Sequence, residues 1–255
     1  MGIDLDIFTK PITLCYGHGE HGKAGCWMDA LSVFTGAGKW TDALACVSPP
    51  INRLCIAIND ALSDADRNRV ILPIFYAPLG TAGDAAADVR RMFILVDAAV
   101  RRWAPLALEA AGLKYHANRL RAMPPVVDGD TARAANETAR DAALAASGVH
   151  NEVCSDHVAE KASCTAANAA IAAGNAAAKD AKDDPVFACA ASRAAVNAVH
   201  RAAQTVDDPD ASDAFVEHDV VPVLLAMIEA GPHAPREEVR PACTPQEFHV
   251  AMGVV

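Results

Sequence analysis

The sequence predicts an all-α fold with a short extended segment at its N-terminus, and three observations carry that expectation. Alanine, the best helix former because it loses no side-chain entropy, accounts for 56 of the 255 residues. Helix start signals with aspartate, serine or proline recur along the chain. Apolar residues repeat at helical spacing, whereas the recurring strands that a βαβ architecture needs are absent.

The elements follow in order. Ile7 to Tyr16 is β-branched enough for a short strand or extended arm. A glycine-rich turn, Gly17 to Gly25, leads into a helix from Cys26 to about Thr35. Ser48-Pro49-Pro50 reads as a capped start with proline at the first position. Ile51, Leu54, Cys55, Ile58 and Leu62 then form one apolar stripe. Ser63-Asp64-Ala65-Asp66 resembles a capping box and begins another helix, while Ile71 to Tyr76 could form a strand. From Asp84 to Trp103, Val89, Met92, Phe93, Val96, Val100 and Trp103 share one face. Arg90, Arg91, Asp97, Arg101 and Arg102 take the other, which predicts a half-buried helix.

Composition changes at Met123-Pro124-Pro125, and Asp128-Gly129-Asp130 is turn chemistry, so a boundary is expected there. All tryptophans and tyrosines lie before it, and 28 of the alanines lie between Thr131 and Ala203. The expected organisation is a mostly helical domain at 1–125 and an Ala-rich helical bundle at 126–255. Within the second part, Asp183-Asp184-Pro185 and Asp207-Asp208-Pro209 are start signals. Gly231-Pro232 should stop the helix that contains Leu224, Leu225, Met227 and Ile228.

Composition also excludes functions. A net charge of −10 opposes nucleic-acid binding, which needs a surplus of lysine and arginine at the phosphates. The longest apolar stretches, Val70 to Leu79 and Val220 to Ile228, are broken by proline and too short for a bilayer, so no membrane partner is expected. The acidic N-terminus lacks the pattern of a secretory signal, and the eight cysteines show neither CxxC pairs nor the spacing of a disulfide scaffold. The expectation is a cytoplasmic protein with reduced thiols.

Three candidate sites emerge. Gly17-His18-Gly19-Glu20-His21-Gly22 fits GxGxxG, and Gly17 through Lys23 fits GxxxxGK. Ala24, however, stands where a phosphate loop needs the magnesium-ligating Ser or Thr, and no second strand ending in an acid follows. No nucleotide cofactor is therefore expected. Cys26, at a predicted helix start, would have its thiolate favoured by the helix dipole, with His18, His21 and Lys23 nearby in sequence. It reads equally as a small apolar packing residue. His150, Cys154 and His157, followed by Cys164, lie on one helical face and could contribute to a zinc site. They read equally as a polar strip on a solvated helix.

The first part also carries Cys26-Trp27-Met28-Asp29-Ala30, Gly38-Lys39-Trp40-Thr41-Asp42 and Cys46-Val47-Ser48-Pro49. Ile58-Asn59-Asp60-Ala61-Leu62, Leu72-Pro73-Ile74 and Pro78-Leu79-Gly80-Thr81 follow. Over roughly residues 8 to 125 this resembles a family of uncharacterised proteins from actinobacteria and their phages with C-x-M-E-A, C-x-S-P and W-N-D motifs and an Ala-rich tail. The family has no assigned activity, so the resemblance implies motif positions and no mechanism. It makes Cys26, Cys46, His18 and Asp29 the first candidate cluster. Asp29 keeps the charge of the family's glutamate at shorter reach, and Ile58 replaces its usual aromatic.

Two functional expectations remain open. One is a non-enzymatic binding or interaction protein, phage-related and homo-oligomeric, taking an unknown protein or small molecule as its partner. The other is a thiol- or metal-dependent enzyme using Cys26 with His18, Asp29 and Cys46, zinc being the one cofactor entertained.

Overall fold

A computed structural model describes residues 8–9, 12–17, 23–37, 41, 43–152, 157–178, 185–204, 209–234 and 238–254, without the side chains of 150–152, 185–189, 200 and 209. It is 71% helical, with no strand among the described residues, and the fold is all-α.

The first helices sit where the sequence places them. α1 is Trp27–Phe34, α2 is Pro49–Ala61 and α3 is Asp64–Ile71. α4, Ala85–Ala98, is capped by the Asp84 side chain. It runs through a π turn, Ala99–Trp103, into α5, Ala104–Ala110. α6 is Lys114–Arg121. Beyond the Met123–Asp128 link come α7, Gly129–Glu152, α8, His157–Ala176, and α9, Pro185–Ala203. α10, Pro209–Phe215, continues through a second π turn, Val216–Val220, into α11, Val221–Glu229; α12 is Pro245–Ala251. α9 and α10 begin at the two predicted prolines, although the aspartates before them lie outside the described residues.

Of the two forms expected for the N-terminal arm, strand or extended segment, it takes the second: among the described residues it makes one parallel bridge, Leu14 to Gly25, and no strand. Three expectations need correction. Ile71 to Tyr76 is the end of α3 followed by a 3₁₀ turn, because Pro73 and the preceding helix hold the chain in helical backbone. Ser48 precedes α2 but does not cap it; its hydroxyl donates to the Asp88 carboxylate instead. Arg91, assigned by periodicity to the solvent face, is 0% exposed. Its guanidinium donates to the carbonyls of Met227, Thr81 and Pro232 and pairs with Asp88, so each of its three buried nitrogens finds an acceptor. Those carbonyls come from chain segments that no helical wheel includes.

Two kinds of interior meet in one core. Around α1 it is aromatic: Phe8 packs edge-on against Phe34 and Phe248 at 5.3 and 5.5 Å, and Tyr76 lies 4.8 Å from Phe34. The C-terminal α12 thereby returns to the start of the chain. In the α7–α8 hairpin the interior is alanine, at 132, 135, 139, 142 and 146 facing 159, 162, 166, 169, 173 and 176. The alternating spacing of three and four is a heptad seam written in methyl groups. Asn136 reaches across to the Ala170 carbonyl at 2.6 Å, and Ser163 donates to Ala143, which fixes the antiparallel register. A Cβ on Gly174 would stand 2.9 Å from the Asn136 amide nitrogen, so glycine admits the crossing. α9 packs against α8, α2 and α4, and α5 against α8, so segments 1–125 and 126–255 share one continuous interior.

Candidate functional site

Two of the motifs, Cys26–Ala30 and Ile58–Leu62, meet at the entrance to α1. Cys26 occupies the N-cap in extended conformation, and its sulfur accepts the Asp29 backbone N–H at 3.4 Å. Asp29 reciprocates: its carboxylate accepts the Cys26 backbone N–H at 3.1 Å. This is a capping box with a thiol where serine or threonine is usual. It satisfies two of the backbone donors that a helix start leaves unpaired. Cys26 is 3% exposed and Asp29 0%.

Asn59 and Asp60, from α2, hold the same entrance from the other side. The Asn59 carboxamide accepts from the Trp27 N–H at 3.1 Å and donates to the Cys15 carbonyl at 3.0 Å. Asp60 accepts from the Gly17 N–H. Below them the buried Arg67 donates to the carbonyls of Asn59, Leu62 and Leu14, and Asn68 grips Leu14 and Ile12 through both ends of its amide. The arm at 12–17 thus finds in side chains the partners that a sheet would have supplied. Sequence reasoning assigned no role to Arg67 or Asn68, since the groups of the arm that they hold, at Leu14 and Ile12, lie 53 to 56 residues away. The one local signal was the Asp64–Arg67 pair at i, i+3.

The predicted cluster is only partly assembled. Cys26 and Asp29 come together, and His18, like the rest of the 18–22 loop, lies outside the described residues. Cys46 lies in the loop before α2, where its carbonyl accepts from the Ala82 N–H. In the second part Cys154 lies outside the described residues, and the His150 side chain is likewise not described. His157 is 84% exposed beside Glu160. Among the described residues no group of three or more His, Cys, Asp and Glu side chains stands close enough to hold a metal ion.

Four thiols, those of Cys15, Cys46, Cys55 and Cys243, are held toward their protonated form. Burial raises Cys46, Cys243 and, most strongly, Cys55. Burial also raises Cys15, with Arg67 pulling against it and Asp29 adding to it. A raised pKa leaves less thiolate at neutral pH, the opposite of what a cysteine nucleophile needs.

Next to Cys46 opens a cleft of about 710 Å³, within the range of small-molecule sites. Leu44 and Val47 on the loop, Asn52, Arg53 and Ile56 on α2, and Asp88 on α4 line it, so its apolar floor carries one cation and one carboxylate. Ser48 and Arg91 both bond Asp88, which fixes the carboxylate at the wall. No helix of the described residues is long and apolar enough to cross a membrane. No protein-family model, curated protein or solved structure matches the chain.

Proposed function

We propose that this is a cytoplasmic helical binding protein, that it binds its ligand without thiol or metal chemistry, and that the ligand seats in the cleft beside Cys46. The reciprocal cap between Cys26 and Asp29 carries the reading. The residues best placed by motif for chemistry are buried, and the Cys26 sulfur and the Asp29 Oδ2 atom are engaged in starting α1. The cleft supports the positive half, since its apolar floor and fixed charges suit a small amphiphilic molecule or a short peptide side chain. The motif resemblance to uncharacterised actinobacterial and phage proteins adds no activity to this reading.

Two measurements test it. Iodoacetamide at neutral pH should leave Cys26 unmodified in the native protein and label it only after denaturation. A fast native phase at Cys26 would return the thiol enzyme. A nuclear magnetic resonance screen with small aromatic carboxylates should shift amides of Leu44, Val47 and Ile56, and Ala45→Trp should abolish those shifts. Shifts that survive that substitution, or none at all across the set, would remove the cleft as the site.

A further inference from the structure

We propose that Cys15 and Cys26 form a redox pair that closes to a disulfide under peroxide, tying the N-terminal arm covalently to the entrance of α1. The backbone puts them side by side. Leu14 and Gly25, the residues just before them, form a parallel bridge, and the Cys15 N–H donates to the Gly25 carbonyl at 3.0 Å. Bridged strands run about 4.8 Å apart, and in a parallel pair neighbouring side chains leave on the same side. That separation falls inside the Cα range a disulfide spans, about 4.4–6.8 Å. The Asn59 carboxamide locks the arrangement by joining the Cys15 carbonyl to the Trp27 N–H, one residue beyond Cys26. The Cys15 sulfur donates to the Ala24 carbonyl at 3.3 Å, and the Cys26 sulfur accepts from the Asp29 N–H at 3.4 Å.

Exposure sets the order of events. Cys15 is half-buried and meets solvent, whereas Cys26 is buried. Hydrogen peroxide therefore reaches Cys15 first and reacts slowly at neutral pH, because burial holds its thiol protonated: an S–O bond forms, the O–O bond breaks, and one water leaves. The Cys26 sulfur then attacks the resulting sulfenic acid; the S–S bond forms, the S–O bond breaks, and hydroxide leaves with the Cys26 thiol proton as a second water. Each cysteine loses one hydrogen, and peroxide is reduced to two waters. When the Cys26 sulfur leaves its place at the cap, the Asp29 carboxylate still holds the Cys26 N–H, so α1 keeps half of its capping box.

Lys23 separates the two cysteines in sequence, which makes the product easy to read. The full-length protein is treated with hydrogen peroxide, alkylated in denaturant and digested with trypsin. The expected product joins the peptide ending at Lys23 to the one beginning at Ala24, and dithiothreitol separates them. Cys15→Ser and Cys26→Ser should each abolish it, and the second keeps a hydroxyl at the cap so that the fold survives. Protein oxidised in urea should instead scatter its pairings over many cysteines. Cys15 passing to sulfinic acid while Cys26 remains alkylatable would overturn the proposal. So would a different native partner for Cys15, or the same distribution with and without urea. Native alkylation of reduced protein tests the binding reading separately, so either can fail alone.

Discussion

The aromatic interior around α1 and the alanine seam of α7 and α8 solve the same burial problem in opposite ways. Around α1, large side chains fill the space between elements that stand apart, and buried polar groups such as Asn59, Arg67 and Arg91 bridge the remaining gaps. Along α7 and α8 there is almost no side chain to fill anything, and the backbones close the gap themselves. Stability in the first region rests on volume that is present, and in the second on volume that is absent. Each should therefore break under the mutation the other tolerates.

The largest effects belong to the first region. Arg91→Ala strips the Met227, Thr81 and Pro232 carbonyls of their donors and leaves a void, and urea unfolding should show a loss of about 3–5 kcal/mol. Leu54→Ala, at a fully buried position of α2, should cost roughly 2–5 kcal/mol by the same measurement. In the seam the direction inverts: Ala166→Leu inserts methylenes where none fit and should cost about 1–3 kcal/mol. Leu144→Ala completes the contrast. The substitution that is severe at 54 should stay within about 0.5 kcal/mol on α7, where Leu144 is 72% exposed. Equal losses at 54 and 144 would erase the comparison.

A pH series sharpens it further. Cys55 is buried among the larger side chains, and burial raises its pKa well above the ordinary thiol value. The unfolded chain therefore ionises first. The stabilisation is complete below the unfolded thiol's pKa, about 8.5, and is lost as pH climbs toward the folded value. Thermal melts should fall in midpoint above pH 9, and Cys55→Ala should flatten that fall. An unchanged slope in the variant would assign the alkaline loss to other groups.

What the sequence disclosed was local. Proline at the first helical position marked α2, α9 and α10, and Asp84 and Ser63 marked α4 and α3. Each of these signals acts within one turn of its own helix. What escaped was any group whose partner is remote in sequence. Arg91 looks solvated on a wheel because its carbonyl partners at 227 and 232 are brought in only by the finished fold. The arm resembled a strand because extended chain needs hydrogen-bond partners, and these come from Asn59, Asn68 and Arg67 rather than from a neighbouring strand. Within the candidate site, the burial of Cys26 as a packing residue was one of the two readings legible in the sequence, but the burial of the Asp29 carboxylate was not.

The two π turns have a consequence for how the chain tolerates length changes. In each, the residue before a proline reaches back five positions: the Ala104 N–H to Ala99 ahead of Pro105, and the Val221 N–H to Val216 ahead of Pro222. The wider turn makes room for a ring that would otherwise strike the carbonyl four residues earlier. The two turns are tied at matching positions, Arg102 to Asp219, each three residues before its proline. One residue more per turn also re-phases everything downstream by about 100°. Deleting a single residue from Ala99–Trp103 would close the wide turn and drive the Pro105 ring against the carbonyl four residues before it. These turns act as spacers in the reading frame of the helix, and the chain should accept substitution there far more readily than deletion.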